Sequence, residues 1–143
     1  MTHQVAAKLS SAEVQANFDL SPFIRWLGLQ VVSLNHQRQE ITVRMAMRPE
    51  LERRPGTRQF HGGPIAAFID ITGDFAIGMM VGGGVPTMNV RTDYLRPAIG
   101  EAVTAVARLR RAGKNTAVVD IDVFDDEKKV VALGRGIYSS AMG

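Results

Sequence analysis

Residues 63–81 read GPIAAFIDITGDFAIGMMV, and only two of these side chains, Asp70 and Asp74, can ionise. The spacing predicts one long helix, with Pro64 in its first turn and the glycines Gly82-Gly83-Gly84 closing it. A helix apolar on nearly every side has to be covered on nearly every side. Lipid is a poor cover, because each central aspartate would cost about 2.5–3.5 kcal/mol on insertion. The rest of the chain offers a protein cover instead. Ile41, Val43, Met45 and Met47 alternate with Thr42, Arg44, Ala46 and Arg48, the period of a half-buried strand. Strands are predicted at 29–34, 40–47, 86–95, 101–111, 115–124 and 130–139. The separators at 112–114 and 125–129 are short and turn-rich, which only antiparallel neighbours can use. The expected fold class is therefore α+β, a curved antiparallel sheet wrapped around a long central helix. One helix leaves part of such a sheet bare, so self-association is expected. Gly73 and Gly78 weaken the helix and predict close approach by a neighbouring backbone.

The segment before the strands is expected to carry a loose tail over 1–10 and a short helix from Ser11 to Phe18. Ser21-Pro22 opens a second short helix, 23–27, which Gly28 ends. Phe23, Trp26 and Leu27 are expected to seal one end of the core. The division expected is 1–20 as tail and helix, then 21–143 as a single domain, in keeping with a chain of 143 residues. Without cysteine there is no disulfide, thiol nucleophile or thiolate metal site. The start of the chain lacks a basic-then-apolar leader pattern, so the expected location is cytoplasmic. Two basic clusters stand out in a chain of net charge +3: Arg48, Arg53, Arg54 and Arg58, then Arg108, Arg110, Arg111 and Lys114. They read as a solvated face and a hairpin end, or as guanidinium forks for phosphate. No aromatic residue interleaves with them, so nucleic acid is not expected, nor is a membrane.

The chemistry concentrates at the start of the long helix. Asp70 and Asp74, four residues apart, share one face and, if both charged, raise each other's pKa. His61-Gly62-Gly63 places unpaired, partly positive N–H groups at the helix start, where glycine lets a ligand come close. An anion-stabilising end with a carboxylate in a semi-apolar setting suits acyl transfer. His61 either caps the helix or polarises a carbonyl. His3 and His36 are expected to be solvated. The histidines lack metal-ligand spacing, so no metal is expected.

Three runs, HGGPIAAFID (61–70), TMNVRTDYLRP (87–97) and GRGIYSS (134–140), resemble hotdog-fold acyl-CoA thioesterases of the phenylacetate-degradation (PaaI) type. The resemblance extends over about 28–139. It implies hydrolysis of an acyl-CoA thioester at a site between two subunits, in a homodimer or a homotetramer of two such dimers. Coenzyme A enters as part of the substrate, with no further cofactor. By the same resemblance Gly62 supplies the oxyanion N–H, and His61 orients beside it. Asp70 of the partner activates water or attacks, and Thr87 helps to position the water. One departure stands out. Pro55 occupies a position, six before His61, where many members carry asparagine, and Gln59 is the nearest amide. Arg96 and Arg111 are candidates for the CoA phosphates, and Phe68, Ile69, Met79 or Met80 for an acyl pocket. The same fold also serves acyl-thioester hydratases and dehydratases, and a non-catalytic acyl-CoA-binding protein would use the same groove.

Overall fold

The computed structural model describes residues 7–140. Six antiparallel strands form one sheet: β1 (Gln30–Asn35), β2 (Glu40–Ala46), β3 (Thr87–Tyr94), β4 (Ala102–Ala112), β5 (Thr116–Phe124) and β6 (Val130–Ser139). Their spatial order is β1-β2-β4-β5-β6-β3. Three α-helices accompany them among the described residues: α1 (Ser11–Leu20), α2 (Pro22–Leu27) and the long α3 (Gly62–Val81). The sheet closes around α3, as the sequence led one to expect. Ile41, Val43, Met45, Ala105, Ala107, Val119 and Ile121 form its inner face, against Phe68, Ile69, Phe75, Ala76 and Met79 of the helix. Among the described residues α3 is the one helix long and apolar enough to cross a membrane, and its core face is already buried against the sheet.

The helix ends follow local chemistry. The Ser10 hydroxyl, one residue before the expected cap, accepts from Glu13 N–H at 3.2 Å. Ser21 caps α2 with Pro22 in its first turn, and Gly28 ends it at φ 71°. His61 caps α3, and Gly82 ends it at φ 95°.

Several expectations need correction. Residues 1–6, His3 included, lie outside the described residues, but Leu9 is no part of a loose tail. It is buried, and its N–H donates to the Met79 carbonyl at 2.8 Å. His36 is tied in by the same residue, its Nε2 standing 2.7 Å from the Leu9 carbonyl oxygen. Val14 and Phe18 of α1 are fully buried, with Phe18 edge-on to Phe75. In α2, Ile24 and Leu27 face the core, while Phe23 and Trp26 remain 53% and 49% exposed and seal nothing.

The two helix glycines divide. A Cβ on Gly78 would meet the Gly83 carbonyl, the close backbone expected. At Gly73 the neighbour is a side chain, the Tyr138 ring, which is wedged between Gly73 and Gly136 with no exposed surface. Tyr138 also donates to the Asp70 carbonyl oxygen at 3.0 Å. Gly73→Ala should therefore destabilise the protein, although alanine is the better helix former by about 1 kcal/mol. Overpacking against a ring with no room to move costs about 1–3 kcal/mol. The check is denaturant unfolding of the variant, with a lower midpoint at constant slope.

Candidate active site

The first turn of α3 is held from both sides. His61 N–H donates to the Leu51 carbonyl at 2.8 Å, and His61 Nδ1 accepts from Gly63 N–H at 3.2 Å. Capping through Nδ1 leaves the proton of the neutral ring on Nε2, so the capping histidine also presents a donor. Gly62 N–H, next in the same turn, has no acceptor among the described residues. The Gly62 carbonyl accepts from the Tyr94 hydroxyl at 2.6 Å, which ties the end of β3 to the helix start. Sequence reasoning did not single out Tyr94, although it lies in the YLRP run that carried the resemblance.

Asp70 is half-buried, and its Oδ1 accepts from the Thr87 hydroxyl at 2.8 Å. Two sequence candidates 17 residues apart thus meet, and no arginine pairs with Asp70 among the described residues. Asp74, one turn on, accepts from Val85 N–H at 2.7 Å and so anchors the turn that leads into β3 and Thr87. Burial, opposed by that hydrogen bond and reinforced by Asp70, pushes the Asp74 carboxyl up to about 7. Burial, with the two carboxylates nearby, also holds the Tyr138 hydroxyl well above its usual range.

A groove of about 520 Å³ runs past Gly62, lined by Gln59, Phe60, Ile65, Tyr94 and Leu95, with Arg53 and Arg96. Gln59 therefore stands beside the helix start, in the same groove as Gly62. Arg96 and Arg111 do not converge. Arg111 lies on the same cross-strand row as Val118, Ile137 and Asn89, while Arg96 follows the opposite end of β3. Other arginines are engaged with acids on the surface: Arg108 with Glu40, Arg135 and Arg110 with Asp120, and Arg58 with Glu101. Of the residues suggested for an acyl pocket, Phe68, Ile69 and Met79 are fully buried core and not open to one, while Met80 is only partly buried. No group of three or more potential metal ligands occurs among the described residues.

Comparison with known proteins bears on this geometry. The sequence profile described as the thioesterase superfamily matches residues 60–132, from the helix start into β6. Acyl-coenzyme A thioesterase PaaI of Escherichia coli K12 is 29% identical over 111 residues, covering 77% of this chain and 76% of PaaI. Medium/long-chain acyl-CoA thioesterase YigI of the same organism is 26% identical over 136 residues, covering 82% and 84%. The solved structure of a thioesterase-superfamily protein superposes with a TM-score of 0.84 at 33% identity, covering 90% of this chain and 96% of that one. The structure of E. coli PaaI gives 0.76 at 25% identity, covering 94% and 98%. With a helix wrapped in an antiparallel sheet, the HGG start and these matches together, the chain belongs to the thioesterase superfamily, in its PaaI-like hotdog branch, and is a thioester hydrolase.

Proposed function

We propose that the protein hydrolyses acyl-CoA thioesters at a site built from two copies of the chain. The observation that carries this reading is a separation along α3. Gly62 and Asp70 are eight residues apart on one helix, about 12 Å at 1.5 Å per residue. A donor for the carbonyl oxygen and a base for the attacking water must both come within hydrogen-bond reach of one thioester. Gly62 of one copy therefore works with Asp70 of another. The β3 edge supports the pairing. Among the described residues β6 is its only strand neighbour, and it exposes Met88 and Val90 along its unpaired side.

In this reading the thioester carbonyl accepts from Gly62 N–H, with His61 Nε2–H beside it. Thr87 fixes one oxygen of Asp70, and the other takes the proton from water. The water oxygen bonds to the acyl carbon, the C–S bond breaks, and the thiolate leaves with that proton. If Asp70 attacks instead, an anhydride forms first; in a single turnover in H₂¹⁸O, label found in the Asp70 carboxylate marks that route, since direct attack of water labels only the released acid. Arg53 and Arg96 at the groove suit an anionic carrier such as CoA. Arg111 stands too far along the sheet to join Arg96 in one chain, so its place at the phosphates requires a second copy. The acyl-CoA reading is also supported by the names of the two E. coli relatives.

The test is thiol release from a panel of acyl-CoAs running from acetyl to decanoyl and including benzoyl. Release from at least part of the panel is expected. A folded, assembled protein that frees no thiol from any of them, or that only adds water to an unsaturated acyl chain, overturns the proposal.

A further inference from the structure

Phe23 and Trp26 project from α2 with their rings nearly parallel, at 14° and 6.4 Å between centroids. About half of each side chain is in solvent, a poor use of large aromatic surface unless something covers it. Together with Leu27, Pro64 and Ala67 they enclose a cleft of about 310 Å³, in the size range of small-molecule sites. His61 and Gly63 line it too. Gly63 lines the 520 Å³ groove as well, beside Gly62, so both spaces border the start of α3. A carbonyl held at Gly62 N–H thus lies where the two spaces adjoin.

The two spaces differ in charge. Arg53 and Arg96 line the groove, with no carboxylate among its lining residues. Glu50 and Glu52 line the cleft, with no lysine or arginine among its own. Just outside, the Arg48 guanidinium lies 4.6 Å from the Trp26 ring centre and 3.9 Å from Glu50, which leaves Glu52 the less compensated of the two. The Glu52 Oε2 accepts from Arg58 N–H at 2.7 Å, which fixes where that charge sits. A polyphosphate is drawn to the first space and repelled from the second.

We infer that the Phe23–Trp26 cleft receives the acyl group of the substrate and selects uncharged alkyl or aromatic acyl groups over carboxylated ones. The inference rests on the acyl-CoA reading above. It fixes the direction in which the thioester lies across the helix start: CoA toward the arginines, acyl group toward the aromatic pair. It also gives α2 a task that core packing does not.

Trp26 is the only tryptophan in the chain, so its fluorescence reports on the cleft directly. The probes are S-hexyl-CoA and S-benzyl-CoA, thioethers that cannot be hydrolysed, with free CoA as the comparison. Both thioethers should shift Trp26 emission, and free CoA should not. In turnover, Trp26→Ala and, separately, Phe23→Ala should lower the kcat/KM ratio of hexanoyl- to acetyl-CoA by about tenfold. Glu52→Gln keeps the acceptor for Arg58 N–H and should raise glutaryl- relative to hexanoyl-CoA by about threefold or more. Equal emission changes with CoA and S-hexyl-CoA, or an unchanged hexanoyl-to-acetyl ratio in both aromatic variants, would overturn the inference. An unchanged ratio together with a smaller sedimentation coefficient would give the patch to a second copy of the chain instead. No thiol release from any substrate would sink the hydrolytic reading alone, since a thioether-specific emission shift would still place the alkyl group in the cleft.

Discussion

Asp70→Asn should lower thioester turnover by about 10²–10⁴-fold, the range that general-base catalysis supplies elsewhere. The fold has little reason to change. The amide oxygen can still accept from the Thr87 hydroxyl, as Asp70 Oδ1 does at 2.8 Å, and the Tyr138 bond goes to the backbone carbonyl of residue 70. What the amide cannot do is take a proton or form an acyl anhydride. The loss should therefore fall on kcat, with thermal unfolding and sedimentation close to wild type. A second inactive variant, Gly62→Pro, removes the proposed oxyanion N–H at a helix position that tolerates proline, after a residue already extended at ψ 150°. Unfolded together and refolded as a mixture, the two variants test the shared site. Half of randomly formed dimers would be hybrids, each with one intact site, so about a quarter of wild-type activity should return. A mixture as inactive as its components would mean that Gly62 and Asp70 do not work across subunits.

What could be read from the sequence follows from how far each signal reaches along the chain. Strand alternation and turn composition act over a few residues, and the strands, their turns and α3 fall where those signals put them, within a residue or two. The caps are equally local: Ser21-Pro22, Gly28 and Gly82 do what their side chains or missing side chains allow. α2 shows where such reasoning stops. In six residues both pairs, 23 with 26 and 24 with 27, have helical spacing, so composition alone cannot say which pair turns inward. Packing chose Ile24 and Leu27. Gly73 announced a close neighbour, but its neighbour, Tyr138, lies 65 residues later and reaches it only once β6 is in register. Arg96 follows one strand-like run and Arg111 ends another, and the two look alike in sequence. The register of β4, β5 and β6 puts them at opposite ends of the sheet. The candidate catalytic residues were the easiest to pick out, because a carboxylate in an apolar helix and a glycine pair at its start are conspicuous without any tertiary information. Tyr94 and Asp74's tie to Val85 were not, since each depends on where β3 begins and ends against α3.

Asp74 should make the protein less stable as the pH rises, and Asp74→Asn should remove that dependence. Burial chiefly, with help from Asp70 one turn away, raises the Asp74 carboxyl from 3.8 to about 7 in the folded protein. A folded-state pKa above the unfolded one means that the native state holds the proton more tightly. The stabilisation is complete below about pH 3.8, declines as pH rises, and is gone once pH passes through about 7. At 1.36 kcal/mol per unit, the loss between pH 5 and pH 8 is on the order of 2–3 kcal/mol. Asparagine has the shape of the protonated acid and keeps an acceptor for Val85 N–H, which holds the turn leading to Thr87. The variant should therefore match wild type near pH 4 and exceed it above pH 7.5. Denaturant unfolding across this range, at one protein concentration because assembly also contributes, reads the difference. Other titrating groups largely cancel between the two proteins, so the slope of that difference isolates residue 74 and the effect its charge has on Asp70. A difference that stays flat from pH 5 to 8 would mean that Asp74 is ionised throughout. The assembled protein would then have to supply a hydrogen bond or a cation that the single chain does not.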